Sequence, residues 1–415
     1  MNSVMYLAWR SLSSRRSSTV LTILTIAISV LLLLGVERMR TQAKQSFANT
    51  ISGTDLIVGA RAGQINLLLY AVFRLGNPTQ NISWQSYQKI AADPKVAWTV
   101  PISLGDSHRG FRVLGTNTDY FKYYRHGSKQ LLAFSQGGEF ENMFGAVVGA
   151  QVAKKLGYSV GQKIIIAHGI SDQSFNRHKN SPFKITGILA ATGTSVDHTV
   201  HVTLEAIEAI HRSGKPAVNM SKQAQKEKYR PSQITAFLLG AHSKMKIFVL
   251  QRQISTTKIE PLSAILPGVA LQELWSIMSI AEQALFVVTV FVVIAGMLGM
   301  LSTLLISLQS RRREIAILRA LGARATYIVA LILTETVFLT GIGIIVGAAL
   351  LYLLIGVFAP MVRSQYGLSL ELSMFSSSEL YMLLYVQLIA IVVGVIPAIS
   401  VYRQSLTDGI TVRAY

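Results

Sequence analysis

Four places in this 415-residue sequence hold residue types and spacings that do chemistry. The first is Asp197, His198 and His201 in SVDHTVH. Imidazole and carboxylate bind zinc, but such a site takes three or four converging ligands. On a strand the two histidines face opposite sides, and on a helix they share one. Two histidines fall short of a ligand set, so the segment reads as a polar surface turn, and spacing does not decide metal binding. The second place is Gly157-Tyr158-Ser159-Val160-Gly161, the G-x-S-x-G spacing of a nucleophile elbow. An elbow needs a strand before the serine and a helix after it. Here the helical pattern GAQVAKKLGYS comes first and the strand-like QKIIIAH follows, so this is a turn. The third is Gly214-Lys215, the only Gly-Lys pair. Pro216 stands where a phosphate-binding loop needs Ser or Thr, and Ala209 where it needs its first glycine. The fourth is Glu335, a carboxylate inside the apolar run LILTETVFLTG. A charge at membrane depth is costly and has a partner or a function; a structural hydrogen bond to a neighbouring helix, through Thr334 or Thr336, is the expected role. H-E-x-x-H does not occur, and the absence of cysteine removes disulfides, thiolate metal sites and a Cys nucleophile.

One further segment carries charge in a pattern. SRRREIAILRALGARATY, Ser310 to Tyr327, is short, basic and amphipathic. Arg311, Arg312 and Arg313 suit the headgroup region. Glu314 falls at a helix N-terminus, where negative charge is favoured. Ile317 and Leu321 share a helical face with Leu318 beside them, and Gly322 suits a left-handed stop. A small helix with an apolar face and a charged rim fits a groove on a cytoplasmic partner; an ordinary basic loop fits the same residues.

The elements that must position these residues follow from where charge is missing. The chain is 51% hydrophobic with only 14% of its residues charged, and its mean hydropathy is +0.43. Soluble domains run nearer a quarter charged. Apolar runs predict four membrane spans, 18–36, 284–308, 327–355 and 381–402, each long enough for a hydrocarbon core of about 30 Å. The first run exceeds a signal-peptide core of ~7–15 residues and no small-x-small cleavage site follows it, so it is read as retained. Small residues recur in the spans, Gly296 and Gly299 in the second, Gly341, Gly343 and Gly347 in the third. Gly343-x-x-x-Gly347 is a close-packing motif, within the chain or between copies.

Arginine in the short segments sets orientation. It puts both termini, 1–17 and 403–415, and the segment 310–324 in the cytoplasm, with a short outer loop at 356–380. Residues 37–282 then form one large extracytoplasmic domain. Its start, GVERMRTQAKQSFANTI, reads as a helical stalk. QINLLLYAVFRL is apolar but too short to span, and fits a core or subunit contact or an interfacial helix. KVAWTVPIS, GFRVLGT, QKIIIAH, PFKITGILA and SQITAFLLGA read as strands. GAQVAKKLGYS, closed by Gly157, and TLEAIEAIHRSG, capped by Thr203 and stopped by Gly214, read as helices. HSKMKIFVLQRQIS and PGVALQELWSIMSIAEQ read as helices too, the second leading into span two. The fold class is a membrane protein of four transmembrane α-helices, one before and three after a large extracytoplasmic α+β domain.

RRREIAILRALGA between long apolar spans resembles the hallmark of ABC transporter permeases of the MacB/FtsX/LolCE class. LAWRSLSSRRSSTVLTILTIAISV resembles that family's amphipathic elbow and first span. DLIVGARAG, VVGAQVAKKLGYSVGQKI and FKITGILAATGTSVDHTVHVTLEAIEAIH resemble parts of its large inserted domain, of MacB periplasmic-core type. The resemblance covers nearly the whole chain. It implies that 310–324 is a coupling helix, with Arg312, Arg313, Glu314, Ile317, Leu318, Arg319 and Gly322 contacting an ATPase or supporting that contact. It implies two permease chains, as a homodimer, over two copies of a cytoplasmic ABC ATPase that binds ATP and Mg, with no cofactor on this chain. MacB carries a fused ATPase domain, whereas here a separate ATPase is expected; the outer domain is longer than in a typical FtsX. The implied activity is non-catalytic: movement passed through the inner membrane for export or extraction of a lipoprotein, peptide or amphiphile. The alternative is an ATP-driven device that regulates a periplasmic partner and moves no substrate. A periplasmic lipoprotein or adaptor and membrane lipid complete the expected partners.

The net charge of +19 is then two local surpluses. The cytoplasmic segments hold ten Arg against two acids, and residues 37–282 hold 28 Lys and Arg against 15 acids. The larger surplus lies outside, which removes nucleic acid as a partner and leaves an anionic membrane surface or an acidic partner.

Overall fold

A computed structural model describes residues 16–168, 181–212, 227–310, 322–366 and 372–403, with the isolated positions 6, 10, 12, 13, 315, 317 and 320. Gly214, Lys215, Arg312, Arg313, Glu314, Leu318, Arg319 and Leu321 lie outside the described residues. The helices used below are α1 (Arg16–Thr50), α2 (Trp84–Ala91), α3 (Ala150–Leu156), α4 (Leu204–His211), α5 (Ile247–Ser255), α6 (Pro267–Ser310), α7 (Ala325–Tyr366) and α8 (Ser377–Arg403). Four of them, α1, α6, α7 and α8, are long and apolar enough to cross a membrane. They match the four expected spans in number and order. Each of α1, α6 and α7 extends beyond its apolar run, because a helix already nucleated adds residues at little cost. α7 continues to Tyr366, so residues 356–366 are helical rather than loop.

The chain divides into two compact units. One comprises 1–42, 279–360 and 370–415, the other 43–278 and 361–369. α1 and α6 each supply residues to both.

The first unit is the helical one. Ile26, Val30 and Leu34 of α1 are buried with Met297, Met300 and Leu304 of α6, Leu339, Leu351 and Ile355 of α7, and Val386 and Ala390 of α8. Large apolar residues on the opposite faces, such as Leu285, Phe286, Val288 and Phe291 of α6, stay exposed, as helices solvated by lipid require.

The second unit is built on a mixed sheet. Its main strands are β1 (Leu56–Ala60), β2 (Val96–His108), β3 (Phe111–Thr116), β4 (Phe134–Gly137), β5 (Gly145–Val148), β6 (Phe183–Leu189), β7 (Thr199–Thr203), β8 (Ala236–Ala241) and β9 (Leu262–Ile265). Their order is β9-β1-β8-β2-β3-β7-β5-β6-β4. β3 with β7 and β5 with β6 are parallel, and the other neighbours on this path are antiparallel. Several strands read from sequence are present, but QKIIIAH supplies only two short pairings, Lys163–Ile164 on β6 and Ala167–His168 on β2. Strands β1, β4, β5, β7 and β9 lie outside the strand-like segments. β1, β5 and β7 are buried at every position, so they lack the alternation that marks a half-exposed strand.

Local signals position the helices. Thr203 caps α4, its Oγ1 accepting from Ala206 N at 3.2 Å and donating to the Met143 carbonyl at 2.6 Å. Gly157 ends α3 with φ +67°, so G-x-S-x-G is a helix-to-strand turn and Ser159 sits exposed on it. QINLLLYAVFRL forms one helical turn, Gln64–Leu68, then a π-helical turn, Leu69–Phe73. Leu67, Leu68, Tyr70, Ala71 and Val72 are buried there, which makes the segment part of the core.

SVDHTVH corrects the expectation of a surface turn. Ser195–His198 is a 3-10 turn that leads into β7, and Asp197 and His201 are fully buried. The Asp197 carboxylate accepts from Thr192 N and Oγ1 at 2.8 Å and from Gly193 N at 2.9 Å. His201 lies between Tyr120 and Phe121, with Nδ1 3.2 Å from the Val147 carbonyl. Among the described residues no three His, Cys, Asp or Glu converge on a metal position. The segment therefore works as core: the Asp197 carboxylate and His201 Nδ1 find partners inside the fold, while the buried His201 Nε2 has no hydrogen-bond partner.

Burial pushes the His201 imidazole down to about 3, with nearby Arg74 adding to the effect. A histidine kept neutral in the fold takes up a proton on unfolding, so its contribution is complete above about 6.5 and is lost as pH falls towards 3, at ~1.4 kcal/mol per pH unit. Thermal melts of the full chain between pH 7 and 4.5 should show His201→Leu less acid-sensitive than the native chain. Parallel pH profiles would contradict this.

Candidate functional site

The segment expected to meet an ATPase lies between α6 and α7. Within 311–322 the structure describes Ile315, Ile317, Ala320 and Gly322. Ile315 packs against a small cluster of Ile328 and Ile332 on α7 and Ala398 on α8. Ile317 points away, 60% exposed. Gly322 has φ +95° and open space around it, the left-handed geometry that ends a helix. Tyr327 N then donates to the Arg324 carbonyl at 3.0 Å, starting α7. The segment is thus pinned by one isoleucine and presents another outward.

What it is pinned to is a set of helices in close backbone contact. A Cβ added at Gly343 would stand 2.6 Å from Ile26 Cγ2, and one at Gly347 would stand 2.6 Å from the Ala27 carbonyl oxygen. The two glycines therefore cut a groove in α7 that α1 fills. Gly296 of α6 does the same for Ser29 of α1, whose Oγ donates to the Val292 carbonyl at 3.2 Å. Thr22 and Thr303 add a hydroxyl bond of 3.0 Å between α1 and α6. Gly299 is less crowded, its nearest such neighbour being Thr25 Cγ2 at 4.0 Å. Gly394 of α8 faces Thr336 of α7, and Gln387 Nε2 donates to Thr340 Oγ1 at 2.8 Å. Contacts therefore run from α6 to α1, from α1 to α7 and from α7 to α8. Glu335 is buried in α7. Its neighbours Thr334 and Thr336 turn their hydroxyls to the Ala330 and Ile332 carbonyls of their own helix.

A charged latch, which the sequence reading does not anticipate, closes the same unit. Arg38 of α1 and Glu379 of α8 are buried and form a two-pronged pair, Nε to Oε1 at 2.9 Å and Nη2 to Oε2 at 3.2 Å. Arg38 Nη2 also donates to the Ser373 carbonyl at 3.1 Å. The guanidinium lies 5.1 Å from the Tyr352 ring of α7 and 5.5 Å from Phe375. Both aromatic faces attract the cation. Glu379 is engaged twice. Ser376 N donates to its Oε2 at 2.8 Å, and Glu379 N donates to Ser376 Oγ at 3.3 Å. That reciprocal pair is a capping box at the start of α8. The signal is legible as Ser376-x-x-Glu379 before an apolar run; only the fold brings Arg38 to it.

A membrane bundle of one helix before and three after a large mixed α/β domain defines a class of polytopic permease. Two family models match this chain, the MacB-like periplasmic core domain over residues 19–234 and the FtsX-like permease C-terminal over 286–406. The chain belongs to the MacB/FtsX-type ABC permease family. Its relatives include the pyoverdine export ATP-binding/permease protein PvdT of Pseudomonas fluorescens (strain Pf0-1), 25% identical over 84% of this chain and 51% of that protein. Another is the macrolide export ATP-binding/permease protein MacB 1 of Yersinia pestis bv. Antiqua (strain Antiqua), 22% identical over 97% of this chain and 60% of that protein. The chain thus spans about half to three-fifths of these relatives' length. Superposition on the periplasmic region of MacB from Actinobacillus actinomycetemcomitans covers 54% of this chain and 94% of that one, at 10% identity and a TM-score of 0.35.

The latch separates two effects of one side chain. Glu379→Gln keeps the capping geometry but leaves Arg38 unpaired and should destabilise the helical unit by about 3–5 kcal/mol. Glu379→Ala should cost about 1 kcal/mol more, through the lost cap. Adding Arg38→Met to Glu379→Gln should recover part of the loss, a coupling that a double-mutant cycle of melting in detergent reads directly. Strict additivity would mean that the pair contributes nothing.

Proposed function

We propose that this chain is the membrane-spanning subunit of an ABC transporter, driven by ATP hydrolysis on a separate cytoplasmic ATPase. It acts in the inner membrane with both termini and the 310–324 segment in the cytoplasm, as the arginine distribution favours. The observation that carries the reading is Ile317, an exposed apolar side chain on the segment joining α6 to α7, within a chain of the ABC permease family. Arg312, Arg313, Glu314 and Arg319 flank it in sequence with charge, and Leu318 adds a second apolar side chain next to it. Such a knob suits a groove on an ATPase surface.

In this reading two copies of the chain pair over two ATPase subunits, which hold the ATP and Mg. ATPase closure pushes on Glu314 to Gly322. α6 and α7 move, and α1, seated against Gly296, Gly343 and Gly347, moves with them. α1 and α6 both continue into the second unit, so displacement of the bundle reaches the periplasmic core domain along the helices themselves. The cargo is taken up outside the membrane, as a lipoprotein, peptide or amphiphile, rather than through a central channel. The relatives named for macrolide and pyoverdine export favour an amphiphile among these.

Ile317→Asp, Glu314→Lys and Leu318→Asp should each abolish co-purification of the ATPase subunit while leaving membrane insertion intact. Undiminished ATPase recovery with all three would end the coupling assignment. In a reconstituted complex, cargo-stimulated hydrolysis with cargo release is the expected result. Stimulation by a periplasmic protein alone, with nothing moved, would replace transport with regulation.

A further inference from the structure

The second unit contains a cleft of about 430 Å³, within the range of small-molecule sites. Its walls come from the last turns of α1, the chain after the π-helical turn, the β2–β3 turn, α3 and the 3-10 turn before β7. Among the described residues four cations line it, Arg74, Arg109, Arg112 and Lys155, and no carboxylate does. Among the described residues none of the four pairs with an acid. The nearby Asp197 carboxylate already accepts from three donors in 192–193.

Arg74 makes the arrangement unusual. It is only 7% exposed, it donates to the Ala71 carbonyl, and its Nε has no hydrogen-bond partner. A buried guanidinium without a counter-ion is costly unless an anion completes it. Its backbone is also left-handed, φ +61°. Arg109 shares that departure, φ +47°, in the tight β2–β3 turn with Gly110 at +82°. Turns of this kind favour Asn or Gly where Arg109 stands. Arg112 is held in place, its guanidinium donating to Asn77 Oδ1 at 3.1 Å and to the Gly76 carbonyl at 2.6 Å. Phe47, Phe73, Leu75 and Phe111 supply apolar wall beside the cations.

We propose that this cleft binds an anionic amphiphile, its phosphate-type head held by Arg74, Arg109, Arg112 and Lys155 and its apolar part against the phenylalanines. Arginine forks match tetrahedral oxyanions by geometry as well as charge. The inference rests on the cleft and stands independently of coupling to an ATPase. Because Phe47 and Thr50 belong to α1 and Arg109 to a sheet turn, a bound molecule bridges the two and its occupancy is linked to the position of α1 within the unit.

The test uses the full chain in maltoside detergent and titration calorimetry with hexyl phosphate, inorganic phosphate and hexyl glucoside. Hexyl phosphate should saturate one site per chain. It should bind about tenfold or more tightly than inorganic phosphate, from burial of the alkyl chain, and hexyl glucoside should not saturate. Arg109→Gly relieves the strained backbone, so with Lys155→Gln it should weaken hexyl phosphate about tenfold or more while the melting temperature holds or rises. Equal binding of inorganic phosphate would overturn the amphiphile, and equal binding of hexyl glucoside would overturn the anion. No saturable binding, or affinity unchanged in the double variant, would overturn the site.

Discussion

The approach of α1 to α7 at Gly343 and Gly347 is the contact on which the helical unit depends. In a bilayer, apolar side chains gain little by leaving lipid for one another, so helices associate through close packing and a few hydrogen bonds. A methyl group at either glycine would intrude on Ile26 or on the Ala27 carbonyl. Loss of that groove would separate α1 from α7. The other contacts, Gly296 with Ser29, Thr22 with Thr303, and Gln387 with Thr340, extend the same logic to α6 and α8. Backbones touch where glycine, serine and threonine meet, and large apolar side chains face outward elsewhere.

The membrane architecture was readable from sequence because a charge-free run of ~20 residues has few other uses. The sheet was only partly readable. Central strands such as GAVV and TVHVT are buried on both faces, so neither has the alternation by which strands are recognised. His201 looked like surface because histidine and aspartate are polar; burial between Tyr120 and Val147 follows from pairing with a strand more than 50 residues away. The pairing of Arg38 with Glu379 has no sequence signal for the same reason, since 341 residues separate them. Contacts that depend on distant pairing leave no local mark.

The basic excess of residues 37–282 gains a location from the structure. Some of it is spread over exposed helix ends, as Lys89 on α2 and Lys154 on α3, where cations oppose the helix dipole favourably. Some is constrained, as at Arg109 in its left-handed turn between strands, or buried, as at Arg74, which closes the π-helical turn and donates to its Ala71 carbonyl. The first kind is ordinary surface chemistry. The second is kept against a backbone preference.

Glu379 has a further consequence through its double engagement. One carboxylate both starts α8 and holds Arg38, so the helix start and the ion pair share atoms. Pulling Arg38 away along α1 would free an oxygen to serve the cap alone; unwinding the first turn of α8 would free the carboxylate to follow Arg38. The two ends of this linkage cannot relax independently. A strain on Arg38 along α1 is therefore shared with the first turn of α8, because the carboxylate oxygen that receives Ser376 N also receives the guanidinium.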